Sequence, residues 1–81
     1  MRAYVLIEAA VGRADAVGEG VKKLDFKEAK VLSVDAVTGP FDVIALLESD
    51  DLDRLGLAIT EGIQRVDGVQ RTTTCLVMKL G

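Results

Sequence analysis

The sequence predicts an α+β fold of element order βαββαβ, and three observations carry that prediction. Four stretches are dense in Val, Ile, Leu and Thr, two others place apolar residues every third or fourth position, and 81 residues hold one core with no room for a second. Ala3 to Ala10 has the aliphatic density of a strand, and Gly12 ends it. From Arg13 the period changes: Ala14, Val17, Val21 and Leu24 form one helical stripe, with Asp15, Glu19, Lys22 and Lys23 off it. Gly18 and Gly20 each cost about 1 kcal/mol relative to Ala inside that helix, so packing or close backbone approach must hold it. Ala29 to Thr38 alternates as a strand, Gly39-Pro40 supplies a turn, and Phe41 to Glu48 returns as the second strand of a hairpin. Asp50-Asp51 places a cap and negative charge ahead of Leu52, Leu55, Ile59, Ile63 and Val66, predicting a second helix in which Gly56 and Gly62 mark close approach. Asp67-Gly68 stops it, and Val69 to Leu80 is the last strand.

This order is the split βαβ, or ferredoxin-like, sandwich: right-handed crossovers put two helices on one face of an antiparallel sheet and leave the other face bare. Strand alternation makes both faces apolar. Val5, Ile7 and Ala9 oppose Tyr4 and Leu6; Phe41, Val43, Ala45 and Leu47 oppose Ile44 and Leu46; Val69, Cys75 and Val77 oppose Leu76, Met78 and Leu80. A bare apolar sheet face calls for a cover, and a core this small rarely yields more than roughly 3–5 kcal/mol without a metal, a disulfide or a partner. The expectation is a homodimer with its sheets face to face, a dimeric α+β barrel.

Composition excludes several functions. Ten Lys and Arg against thirteen Asp and Glu, with no basic cluster denser than Lys22-Lys23, give no field for a nucleic-acid backbone. The longest apolar run, Val43 to Leu47, falls far short of a membrane span of about 20 residues. With no His and one Cys, neither a Ser-His-Asp nor a Cys-His relay can be built, tetrahedral zinc lacks ligands, and no cofactor is implied. The lone Cys75, which cannot form an intrachain disulfide, is expected to be a small buried hydrophobe in a cytoplasmic protein.

Two motifs, in this order and spacing, carry a family resemblance: Val37-Thr38-Gly39-Pro40-Phe41-Asp42-Val43-Ile44 and, after the helix, Asp67-Gly68-Val69-Gln70-Arg71-Thr72-Thr73-Thr74. Together they resemble the ligand-binding RAM domain of the Lrp/AsnC, or feast/famine, transcriptional regulators, over essentially the whole chain. The family's Gly-Val after the first helix is replaced by Asp25 to Ala29. Because the sequence starts at the first strand, the resemblance implies a stand-alone RAM protein without the regulators' helix-turn-helix. It also implies binding of an amino-acid effector, assembly of dimers into rings of eight or ten subunits, and combination with full-length regulators.

The resemblance places the ligand site where neighbouring dimers meet. Gly39 matches the turn glycine, where a residue without Cβ lets backbone N–H groups approach a carboxylate. Pro40 and Phe41 shape the turn, Asp42 matches an acidic position that would face an ammonium group, and Thr72 and Thr74 match polar positions of the last strand. Each has a plainer reading: Gly39-Pro40 as a hairpin turn, Asp42 as an acceptor for nearby backbone N–H groups, the threonines as strand formers, and Asp50-Asp51 as a cap rather than metal ligands. Two other functions stay open. An amino-acid-sensing ACT domain shares the topology but pairs its sheets edge to edge. A small dimeric α+β barrel enzyme is the weaker alternative, and no catalytic residue and no enzyme activity are expected, since only Tyr4, Phe26 and Phe41 are aromatic.

Overall fold

A computed structural model of the chain describes residues 1–80. Its elements follow the expected order: β1 (Arg2–Ala9), α1 (Ala14–Lys22), β2 (Lys30–Ala36), β3 (Val43–Glu48), α2 (Leu52–Glu61), a short 3₁₀ turn (Ile63–Arg65) and β4 (Val69–Leu76). The four strands form one sheet in the order β2-β3-β1-β4, antiparallel at every pairing, which is the ferredoxin-like arrangement.

The register assigns the faces. Ala3, Val5 and Ile7 lie opposite Leu47, Ala45 and Val43, and all six are completely buried beneath Val17 and Val21 of α1, Leu55 and Ile59 of α2, and Ile63. On the reverse face Tyr4 and Leu6 pair with Leu46 and Ile44, and Tyr4 also with Cys75. No helix covers this second row, and Tyr4 is 45% exposed.

Asp51 caps α2, its Oδ1 accepting the Arg54 N–H at 2.8 Å. The helix ends at Glu61 rather than continuing to Val66. Ile63 and Val66 extend the apolar stripe, but the chain tightens at Gly62 into the 3₁₀ turn, which drives Ile63 into the core. A Cβ at Gly62 would lie 2.5 Å from the Ala58 carbonyl oxygen, and one at Gly20 2.7 Å from Val66 Cγ1. Those two glycines permit close approach, whereas Gly56 faces open space, contrary to the expectation from sequence.

Two further boundaries and one side-chain face differ from the sequence reading. The hairpin connection runs from Val37 to Asp42, closed by the Val37 N–H on the Asp42 carbonyl at 2.9 Å, so β3 starts at Val43 and not at Phe41. The last strand stops at Leu76 because its partner runs out: Leu76 pairs with Ala3, and the Val77 N–H bonds the Arg2 carbonyl at 2.9 Å. Val69 packs against the core, away from the face of Cys75, because the register with β1 shifts between Glu8 and Ala9 and leaves Gln70 as the extra residue.

On the bare face Arg2 Nε donates to Glu48 Oε2 at 3.0 Å across β1 and β3. That hydrogen bond, and then the guanidinium charge, holds the Glu48 carboxyl below its ordinary value. The stabilisation is therefore complete above the ordinary glutamate value and is lost as pH falls through the lowered one. Arg2→Gln should flatten the acid limb of a stability-versus-pH curve by lowering stability slightly at neutral pH while leaving the acid end unchanged, the loss being small because the pair is solvent-exposed. Two glycine substitutions should act with opposite signs in urea unfolding. Gly68 has φ +98° and its Cβ would meet Val17 Cγ2 at 3.0 Å, so Gly68→Ala should destabilise by about 1–3 kcal/mol. Gly56→Ala, in a helix with open space around it, should stabilise by about 0.4–1 kcal/mol.

Candidate functional site

One end of the sheet collects the C-terminus of β1, the β2–β3 connection and the turn into β4. There the β1–β3 ladder ends at Ile7 and Val43, which leaves the Ala9 N–H without a strand partner on that side. Asp42 supplies one: its Oδ2 accepts the Ala9 N–H at 2.8 Å, while its own N–H donates to the Ile7 carbonyl at 2.9 Å. Three hydrogen bonds, counting the one from Val37, fix the residue's backbone and one carboxylate oxygen. The plainer reading of Asp42 as a backbone acceptor thus accounts for Oδ2, and Oδ1 takes no hydrogen bond from the described residues. Gly39 stands at the open tip of the connection with φ +120°, a backbone state that excludes most side chains. Pro40 beside it is exposed; Phe41 is half-buried.

The two threonines lie across β1 from this loop. Thr72 pairs with Ile7 and Thr74 with Val5, so both are on the helix side of the edge strand β4. Thr72 is half-buried and its Oγ1 accepts a hydrogen bond from Gln64 Nε2 at 2.9 Å; Thr74 is exposed. Asp42, just ahead of β3, and Thr72 of β4 stand on opposite sides of β1, their backbones roughly 10 Å apart by two strand spacings. A single chain therefore brings Gly39, Pro40, Phe41 and Asp42 together but does not bring the threonines to them.

Thr72 lines an open depression of about 390 Å³ with Gln64, Val69, Gln70 and Arg71. Gln64 had no signal in the sequence, since its position reads as one more polar residue in a helix; the 3₁₀ turn aims it at β4. A depression of about 440 Å³ lies at the opposite end of the sheet, where Asp25 to Ala29 crosses into β2. Its rim carries Lys22, Lys27 and Lys30 against Asp25, Glu28, Glu48 and Asp50, and it holds none of the candidate residues. Cys75 is exposed rather than buried, because β4 is an edge strand and the residue lies on the uncovered face. Among the described residues, no three Cys, Asp or Glu side chains gather as metal ligands, and no helix is long and apolar enough to cross a membrane.

The family model described as the Lrp/AsnC ligand binding domain matches residues 2–80. The chain belongs to the Lrp/AsnC ligand-binding domain family. Among solved structures, TTHA0845 from Thermus thermophilus is 36% identical with a TM-score of 0.85, the match covering 99% of this chain and 95% of that one. The hypothetical protein PHS023 from Pyrococcus horikoshii is 29% identical with a TM-score of 0.77, covering 96% and 90%. The transcriptional regulator NMB0573 from Neisseria meningitidis, solved as a complex with L-Met, shares the fold at 21% identity and a TM-score of 0.80. This chain is covered over 96% of its length there but spans only 49% of that regulator. Among curated proteins no match was found.

In this Lrp/AsnC domain Asp42 joins the loop to β1. Asp42→Ala should cost about 1–2 kcal/mol in urea unfolding, by leaving the part-buried Ala9 N–H without its acceptor. Asp42→Asn, which keeps an acceptor oxygen, should lose less than half of that.

Proposed function

We propose that this Lrp/AsnC domain binds an amino acid at contacts between subunits of a homo-oligomer, and through that binding modulates transcriptional regulation of metabolism. The observation that carries the reading is the held carboxylate of Asp42: one oxygen is anchored on Ala9, the other takes no bond from the described residues, and the open Gly39 turn stands beside it. A fixed anion suits an ammonium group, and the backbone N–H groups of the turn suit a carboxylate. The family description as a ligand-binding domain supports the reading, as does the L-Met complex of the Neisseria fold relative.

In this reading the site is shared between subunits. Asp42 and Thr72 stand on opposite sides of β1, and the family resemblance implies that a neighbouring subunit completes the site. The bare face with Tyr4, Leu6, Ile44 and Leu46 suits a second copy, giving a dimer, and the family resemblance implies that dimers join into a ring of eight or ten at the sheet ends that carry the Gly39–Asp42 turn. Full-length Lrp/AsnC regulators are the partners through which such a domain would reach transcription.

Thermal unfolding measured against each of the twenty amino acids, at constant pH and salt, tests this. A ligand at 100 times its Kd adds about 2.7 kcal/mol, enough to raise the midpoint by several degrees at this size. A rise for one or a few amino acids, abolished in Asp42→Asn, is expected; a flat panel would contradict the effector reading.

A further inference from the structure

The edge strand β2 carries two charged residues, Lys30 and Asp35, and both are exposed. Among the described residues neither enters an ion pair. Side chains alternate along a strand, so an odd separation in sequence would put the two on opposite faces. The register with β3 prevents this. It shifts between Val31 and Ser33, with Leu32 as the extra residue, so Lys30 lies opposite Glu48, Ser33 opposite Leu46 and Asp35 opposite Ile44. All three positions belong to the bare face. Without the shift Asp35 would stand opposite Val43, on the face where the core is buried.

The bulge therefore gives one exposed row a positive and a negative end, roughly 15 Å apart. A single charge on an edge strand serves to keep other strands away. Two opposite charges on one face are more selective, because they complement a second copy of the same strand running the other way. In a twofold contact residue i of one copy meets residue j of the other and j meets i, so Lys30 and Asp35 satisfy each other twice. Two copies of β2 running the same way would set like charges together. The rest of the face fits the antiparallel arrangement. Ser33 lies between the two charges, and Leu46 and Tyr4 continue its row into the apolar middle of the face. Glu48, the ladder neighbour of Lys30, already accepts from Arg2 Nε at 3.0 Å, which leaves the lysine for the other copy.

We infer that a second copy of the chain packs on the bare face with its strands antiparallel to the first, the twofold axis crossing between Lys30 and Asp35, and Lys30 of each copy paired with Asp35 of the other. This rests on the subunit contact proposed above and adds its orientation and the charges that select it.

The test is sedimentation equilibrium at low ionic strength on wild type, Lys30→Glu, Asp35→Lys, the double variant, and an equimolar mixture of the two single variants. Both residues are exposed on an edge strand, so the variants fold, which circular dichroism checks. Each single variant sets two like-charged pairs across the contact and should raise its dissociation constant about tenfold or more. In the double variant the charges exchange places, and the constant should return to within about threefold of wild type. In the mixture a Lys30→Glu chain meets an Asp35→Lys chain through two attractive pairs, so 1:1 heterodimers should form more tightly than either variant self-associates. Salt at about 1 M should shrink all these differences. Damage to the fold would not be repaired by mixing. Single variants that associate like wild type, or losses that neither the double variant nor the mixture repairs, would overturn this orientation while leaving the contact on the bare face intact. A wild type that stays a folded monomer overturns the contact and the orientation together.

Discussion

A four-stranded sheet with two apolar faces and only two helices is the constraint on which everything else in this protein depends. The central strands β1 and β3 alternate without interruption, so every residue that helps the core has neighbours in the strand that point away from it. Ala3, Val5 and Ile7 are buried because α1 and α2 sit over them; on the reverse face Tyr4 is exposed and Leu6 half-buried, with no helix of the described residues above them. Burial is worth roughly 25 cal/mol per Å² of apolar surface, so leaving one face wet forfeits a large part of what so small a chain can gain from folding. In the proposed reading a second copy of the chain recovers that loss, and the function follows from the same requirement, because a site between subunits exists only in an assembly.

The way the sheet ends links fold to site. Where β1 outruns its pairing with β3, the Ala9 N–H is left over, and the Asp42 carboxylate fills the gap. Where β4 meets β1 at the same end, the register shift at Glu8/Ala9 returns Val69 to the core, and the regular ladder before it sets Arg71 and Thr72 on opposite faces. The end of the β1–β3 ladder thus fixes a carboxylate on one side of β1, and the regular β1–β4 ladder a hydroxyl on the other. Neither device adds much to the core, and both hold polar groups still at the rim.

Much of this was legible in the sequence, and the failures have physical causes. Element order, the faces of β1 and β3, the Asp51 cap and the family all follow from alternation, helical spacing and two motifs, since each is a local pattern of residue types. Boundaries went astray where a long-range partner decides them. The stripe through Ile63 and Val66 looks helical whether the backbone is α or 3₁₀, and β4 ends at Leu76 only because β1 begins at Arg2. The exposure of Cys75 depends on strand order, which places it on an edge with no helix above. At the candidate site the motif located Gly39 to Asp42, but the partner of Asp42 lies 33 positions away and Gln64 meets Thr72 through a turn that no motif marks.

The claim at the centre of this account is that the uncovered face made by Tyr4, Leu6, Ile44 and Leu46 is where a second copy of the chain packs. Sedimentation equilibrium of the wild-type protein and of Leu6→Glu tests it most directly, because Leu6 is on that face and outside the core. The account predicts a dimer or a multiple of it at micromolar concentration, and monomer or loss of folded protein once a buried charge is placed at that contact. A wild-type protein that sediments as a folded monomer, or a Leu6→Glu variant that keeps the wild-type assembly, would contradict it.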